Sequence, residues 1–137
     1  MAEKVRKVDY FYIEAPNRPG VGAKALAALR DAGVNLFAFS GFPQGRGAQI
    51  DFIPDNTAKF KAAAQKAGYK LSAKKTGFLI QGEDKPGAIA RVMGKLAKTG
   101  VNVTAIDAVA AGKGRYGALL WVKSKDVSKA AKALGAS

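Results

Sequence analysis

Residues 7–14 (Lys-Val-Asp-Tyr-Phe-Tyr-Ile-Glu) and residues 76–81 are runs rich in aromatic and β-branched side chains, a pattern that predicts strands. Each run leads into a turn signal, Asn17-Arg-Pro-Gly in one case and Asp84-Lys-Pro-Gly in the other. A polar residue suited to capping, a proline with fixed φ and a glycine together announce a helix start. The apolar positions that follow, Val21, Ala25, Leu26 and Leu29, then Ala88, Val92, Met93 and Leu96, have the spacing of one helical face. Lys24, Arg30, Arg91, Lys95 and Lys98 point the other way. Gly33 and Gly100 stand where a left-handed residue ends a helix. Second strands are predicted over 34–42 and 101–109. Glycine-rich turns at Gln44-Gly-Arg-Gly and Gly112-Lys-Gly lead from these to third strands over 48–53 and 116–122. Helices over 57–67 and 125–134 close the pattern, with Phe60, Ala63, Ala64 and Ala67 matched by Val127, Ala130, Ala131 and Leu134. Residues 69–72 read as a fourth strand.

The two halves of that description are one description given twice. Pro19-Gly20 recurs as Pro86-Gly87, Gly33-Val34-Asn35 as Gly100-Val101-Asn102, and Gly45-x-Gly47 as Gly112-x-Gly114, each at an offset of 67. Phe11 with Phe78, Ile13 with Ile80 and Leu29 with Leu96 keep the same offset. About 15 identities fall in roughly 62 paired positions, concentrated at turns and apolar sites, where a shared fold constrains sequence. The chain therefore divides into units 1–73 and 74–137. Each is predicted as β-α-β-β-α-β, the ferredoxin-like arrangement of the α+β class, with helices on one face of an antiparallel sheet. The second unit stops at Gly135-Ala-Ser without its own last strand. Either the extra N-terminal residues 2–5 or a strand from another subunit must cover that edge.

Composition narrows the chemistry. Among 137 residues there is no Cys and no His, which removes disulfides, the usual zinc sites and nearly all Ser-His or Cys-His nucleophile systems. The acidic residues Asp51, Glu83, Asp55 and Asp107 have neither paired-carboxylate nor metal-ligand spacing, and the glycine turns lack the helix and hydroxyl residue of a phosphate-binding loop. The expectation is a protein that is not an enzyme and uses no cofactor and no metal. The chain opens on charged residues, and no apolar run is long enough to span a bilayer, so a cytoplasmic protein without membrane association is expected.

The β-α-β-β-α-β units of roughly 65 residues, with Asn/Asp-x-Pro-Gly after the first strand and Gly-Val-Asn after the first helix, resemble the ACT domain. ACT domains are small regulatory modules of amino-acid metabolism. The resemblance covers essentially the whole chain as two repeats with no catalytic domain attached, like the stand-alone tandem ACT proteins of bacteria. It implies side-by-side pairing of units with an amino-acid effector held at their interface. It also implies the binding residues: Asn17, Arg18, Pro19, Gly20 and Val21 in the first unit, and Asp84, Lys85, Pro86, Gly87 and Ala88 in the second. Asn35 or Asn102, at the start of the second strand, contributes across the interface.

Elementary chemistry agrees with that assignment. A helix N-terminus offers unpaired N–H groups and partial positive charge to a carboxylate, and glycine lets a ligand approach the backbone. Asn17 or Asp84 can accept from an ammonium group, and Asn35 and Asn102 can both donate and accept. Plainer roles exist for the same residues: Asn17 and Asp84 as helix caps, Asn35 and Asn102 as turn residues. The loops also differ, with Gly22 in one where Ile89 stands in the other, so the two need not bind alike.

The net charge of +13 admits a competing function. It is spread over both units, 11 basic against 6 acidic residues in 1–73 and 12 against 4 in 74–137, mostly on helix exteriors such as Lys59, Lys61, Lys66, Lys129 and Lys132. RNA-recognition motifs share the element order, and Lys113-Gly-Arg-Tyr-Gly-Ala-Leu-Leu-Trp-Val approximates their basic-Gly-aromatic-Gly signature with Arg115 as an extra residue. Ala118 and Leu119 then occupy the region of the second stacking aromatic. Strand alternation meanwhile sends Tyr10, Tyr12 and Leu79 to the sheet face away from the helices. With the open edge, that apolar face predicts a homodimer.

Overall fold

The computed structural model describes residues 3–137. Its elements are β1 (Lys4–Pro16), α1 (Val21–Asp31), β2 (Leu36–Gln44), β3 (Gly47–Pro54), α2 (Thr57–Lys66), β4 (Lys75–Glu83), α3 (Ala88–Lys98), β5 (Val103–Gly112), β6 (Arg115–Val122) and α4 (Val127–Leu134). A 3₁₀ turn at Ser124–Asp126 leads into α4. Six strands, with antiparallel pairing in each unit, and four helices give the α+β, ferredoxin-like fold expected from the sequence. The chain forms two compact units: a first of Asp9–Lys75, and a second of Thr76–Ser137 together with the residues up to Val8.

In the first unit, β3 pairs with both β1 and β2, with Phe11 opposite Phe52 and Ile13 opposite Ile50. Strand alternation sends these four side chains to the helical face, where they join Ala25, Leu29, Phe60 and Ala64 in one core. Three aromatic rings fill its centre: Phe60 lies 5.4 Å from Phe11 and 5.4 Å from Phe52, centroid to centroid. Asn56 caps α2 by accepting from the Lys59 N–H at 3.0 Å. The expected fourth strand is not regular. Residues 69–72 run beside β1, but their bond to it is made at Ser72, whose N–H donates to the Tyr12 carbonyl. The Ser72 hydroxyl, rather than a backbone carbonyl, accepts from the Tyr12 N–H at 2.9 Å. A side chain has taken over half of the ladder, and the regular pairing ends there.

In the second unit, β6 pairs with β4 and β5, and Phe78, Ile80, Leu120, Val92, Leu96 and Ala130 build a core that is mostly aliphatic. The stripe predicted for the last helix holds, with Ala130 and Leu134 buried and Val127 and Ala131 packed at its margin. The missing strand comes from the N-terminus. Residues 4–8 of β1 belong to this unit, β1 neighbours β4, and Val5 is buried in the same core as Phe78 and Ile80. The Ser137 N–H donates to the Val5 carbonyl, and the Lys7 N–H donates back to the Ser137 carbonyl, both at 3.1 Å. The segment covering the edge is thus centred slightly later than residues 2–5, of which Ala2 lies outside the described residues.

The constant offset of 67 fails at two places, the hairpin and the last helix, whose N-cap Asp126 stands 70 residues after Asn56. Gln44 faces Gly47 across a two-residue turn, whereas Gly112 faces Arg115 with Lys113 and Gly114 forming the turn, both at positive φ. Gly47 is therefore a strand residue, not the counterpart of Gly114. A register shift between Ala110 and Gly112 absorbs one extra residue, and from there the structural offset in the hairpin is 68. Phe52 accordingly matches Leu120, and Ala48 matches Tyr116.

Candidate functional site

The loops between the first strand and first helix of each unit are built alike. Gly20 and Gly87 occupy the N-cap positions of α1 and α3 at φ 87° and 83°, a left-handed conformation that L side chains rarely adopt. No side chain caps either helix. The capping role open to Asn17 and Asp84 is therefore not the one they play: each lies three residues before its N-cap, on the exposed loop. The Val21 and Ala88 N–H groups donate to the Arg18 and Lys85 carbonyls at 3.4 and 3.2 Å, and no side chain accepts from the first turn of either helix. Arg18 and Lys85 are exposed beside them, with Lys85 only loosely paired to Glu83 at 4.0 Å.

A groove opens at this loop in both units. In the first it measures about 250 Å³, and its lining includes Asn17, Arg18, Val21, Gly22, Phe42 and Ala48. In the second it measures about 360 Å³, and its lining includes Asp84, Lys85, Ala88, Ile89, Val109 and Tyr116. Loop, helix start and the far end of the second strand converge in each case, so the repeat reproduces the site as well as the fold. Gly87 lines the second groove directly. Pro19, Gly20 and Pro86 shape the turns without lining either groove. The Asp84 N–H further ties the second loop to its hairpin by donating to the Gly114 carbonyl at 2.8 Å.

Asn35 and Asn102 stand elsewhere. Both are exposed just before β2 and β5, at the end of the strand away from the groove of their own unit. Nine residues of extended chain in β2 cover roughly 30 Å, too far for a side chain to bridge. Their turns are completed by the backbone: Val34 and Val101 N–H groups donate to Leu29 and Leu96 carbonyls, and Gly33 and Gly100 sit at φ 73° and 74°.

Sequence reasoning missed the strand side of the groove, Phe42 and Pro43 in the first unit and Val109, Ala110 and Tyr116 in the second. A further inward count along each second strand from its glycine turn finds the first four. Tyr116 was hidden by the one-residue slip. It does not face outward as a base-stacking aromatic would; it is 5% exposed and sits in the core beneath α3. The signature-like segment thus presents no aromatic platform at this residue, and the exposed lysines of α2 and α4 lie on helix exteriors.

Gly82, directly opposite Tyr116 on β4, makes room for the ring: a Cβ there would come within 2.8 Å of Tyr116 Cε1 and 3.0 Å of Glu3 Cγ. Glu3 forms an ion pair with Arg91 of α3. Burial pushes the Glu3 carboxyl up, but the hydrogen bond and charge of Arg91 outweigh it and hold the group below its ordinary value. Burial raises the Tyr116 phenol, with the Glu3 charge adding to it, so the hydroxyl stays protonated at neutral pH.

Among the described residues no group of three or more Asp or Glu side chains could hold a metal ion, and no helix is long and apolar enough to cross a membrane.

No protein-family model matches the sequence, and no curated protein does. Solved structures do share its fold. Protein BT0572 from Bacteroides thetaiotaomicron aligns over 96% of this chain and 88% of its own, with a TM-score of 0.81 at 18% identity. The ligand-free regulatory subunit of aspartate kinase from Thermus thermophilus aligns over 98% and 93%, with a TM-score of 0.65 at 20% identity. That from Thermus flavus aligns over 98% and 94%, with a TM-score of 0.62 at 19% identity. The two-unit ACT-type fold suggested by the sequence motifs is the fold of this chain.

Proposed function

We propose that this chain is a non-catalytic, cytoplasmic regulatory protein that binds a small molecule, an amino acid, at the strand–helix loops of its ACT-type units. The observation that carries this reading is the recurrence of one groove at the same loop in both units, each beside a helix start that no side chain caps. An α-carboxylate would sit at the first-turn N–H groups that follow Val21 and Ala88, with Arg18 or Lys85 alongside, and the ammonium group would face Asn17 or Asp84. Pro19-Gly20-Val21 and Pro86-Gly87-Ala88 set the turn that aims the helix at the ligand. The kinship in fold with regulatory subunits of aspartate kinase supports a regulatory role.

Asn35 and Asn102 take part only from another unit, since each is remote from its own groove. That requirement accords with a homodimer, as do the exposed edge strands β2 and β5, which carry Phe37, Phe39 and Phe42 at 41% exposure each and Val109 at 67%. Effector binding then acts by favouring one arrangement of units over another.

A thermal-shift screen with the twenty amino acids, nucleotides and a short RNA tests this. One or a few amino acids should stabilise the protein, by about 2.7 kcal/mol at a hundredfold excess over Kd, and Asp84→Ala, Asn35→Ala or Asn102→Ala variants that still fold should lose the response. Salt-sensitive RNA binding with no amino-acid response would instead favour nucleic-acid recognition. A monomeric mass at micromolar concentration would count against the dimer.

A further inference from the structure

The outer side of the second unit's helices carries its charge in rows. Arg91, Lys95 and Lys98 follow at i, i+4 and i+7 along α3, and Lys125, Lys129 and Lys132 repeat that spacing along the 3₁₀ turn and α4. Residues so spaced share one side of a helix, and all six are exposed. The opposite sides of both helices meet one core through Val92, Leu96, Ala130 and Leu134, so the two rows belong to one helical layer. Asp126, partly buried, is the one acidic residue within 88–98 and 124–134. Arg91 is paired with Glu3, whereas the five lysines form no ion pair among the described residues.

Helix stability accounts for only part of this pattern. Lys95, Lys98 and Lys132 suit the last turns they occupy, but Arg91 repels Lys95 one turn on, and Lys129 stands in the first turn of α4, at the positive end of the dipole. The shared backbone does not demand it either. At the offsets of 67 for α1 and α3 and 70 for α2 and α4, the same six places in the first unit hold Lys24, Ala28, Asp31, Asp55, Lys59 and Ala62, whose charges cancel. The remaining cations of its helices, Arg30, Lys61 and Lys66, stand at other places, and Arg30 is paired with Asp31.

We propose that the helical layer of the second unit is a docking surface for an acidic protein, which lays an Asp- or Glu-rich helix along the lysine rows. The proposal goes beyond effector binding and does not depend on it. Each row extends about 10 Å, and a partner helix with carboxylates at i, i+4 and i+7 repeats its spacing. Exposed lysines of this kind steer the approach of an opposite charge and fix register. The residues between them on the outer side are small, Ala90, Gly94, Ala97 and Ser128, which leaves room for a second backbone to come close. Nucleic acid fits this layer less well. Its one arginine is held by Glu3, and neither helix carries an aromatic side chain on which a base could stack.

Fluorescence anisotropy on the intact chain at low salt tests the proposal. The probes are a labelled helical peptide of about 20 residues with Glu at i, i+4 and i+7, and a short labelled RNA. Two variants lose the same net charge: Lys95→Gln, Lys98→Gln, Lys129→Gln and Lys132→Gln together, and Lys24→Gln, Lys59→Gln, Lys61→Gln and Lys66→Gln together. Glutamine keeps the helix propensity of lysine. The parent should bind the peptide, the second-unit variant should bind it about tenfold more weakly, and the first-unit variant should stay within about threefold of the parent. Equal losses in the two variants reduce the effect to net charge and overturn the proposal, as does a parent that does not bind the peptide. Tighter binding of RNA than of peptide overturns it in favour of nucleic acid. A lowered melting temperature in the second-unit variant alone overturns it too, since the lysines then serve the fold.

Discussion

The two units carry one backbone plan with two interiors. Where the first sets Ala15 opposite Ala48, the second sets Gly82 opposite Tyr116. The paired volume is redistributed rather than merely enlarged: all of it moves to one side of the ladder, and glycine yields the space the ring needs. The cores are likewise divided, with stacked phenylalanines Phe11, Phe52 and Phe60 in one and Val92, Leu96, Leu120 and Ala130 in the other. What both keep unchanged is the glycine N-cap and the turn before it. The duplication thus preserves a helix start and varies what stands across from it.

That contrast can be broken at several points. The largest effect is expected from deleting residues 2–8: the second unit loses Val5 and the strand beside β4, and its cooperative unfolding transition should disappear. Trp121, the one tryptophan and a β6 residue, reports this by fluorescence. Next, Gly82→Val should destabilise the second unit by about 1–3 kcal/mol in urea titrations, because its Cβ meets the Tyr116 ring. Gly82→Ala combined with Tyr116→Ala recreates the pairing of the first unit and should cost less than the two single changes added together, a coupling of about 0.5–3 kcal/mol. Smaller and opposite in sign, Gly22→Ala and Gly94→Ala place a Cβ in open space within helices and should each stabilise by about 0.5–1 kcal/mol. If Gly22→Ala also weakens ligand binding, the first groove is in use.

The smallest expected effect is that of Glu3→Gln. The Glu3 carboxyl is held below its usual 4.5 in the folded chain, so it contributes stability above the unfolded-state value and loses it as pH falls through the folded one. The melting temperatures of parent and variant should differ at pH 7 and converge as the pH falls below 4.5 and through the lower folded-state value.

Much of this was legible in the sequence because glycine, proline and apolar spacing record backbone requirements directly. The Pro-Gly turns, the Gly33 and Gly100 helix ends and most of the buried helix faces fall where the pattern puts them, although Ala67, expected on the buried stripe of α2, is exposed at its C-cap. What escaped has a common cause. The hairpin slip, the irregular end of the first unit and the strand lent by residues 4–8 all depend on which backbone groups find each other across the chain, and side-chain periodicity is nearly silent about that. Gly45-x-Gly47 and Gly112-x-Gly114 look equivalent, yet the first glycine pair straddles a turn that the second pair enters one residue later. The grooves were half legible, since the loop side is written in Asn/Asp-x-Pro-Gly and the strand side only in register. Asn17 and Asp84 illustrate the limit of local rules: residues of capping type sit near helix starts that glycine in fact occupies.

The divided first strand imposes an order on synthesis. Residues 9–75 contain every partner the first unit needs and can fold while the chain is still being made. Residues 4–8, made before the whole of the first unit, have no partner until β4 follows, and no finished one until Ser137 supplies the bonds to Val5 and Lys7. Through that interval the nascent chain displays an unpaired strand edge joined to an already folded domain. The basic residues Lys4, Arg6 and Lys7 within it are the kind of charges that keep such an edge from pairing with a neighbouring chain.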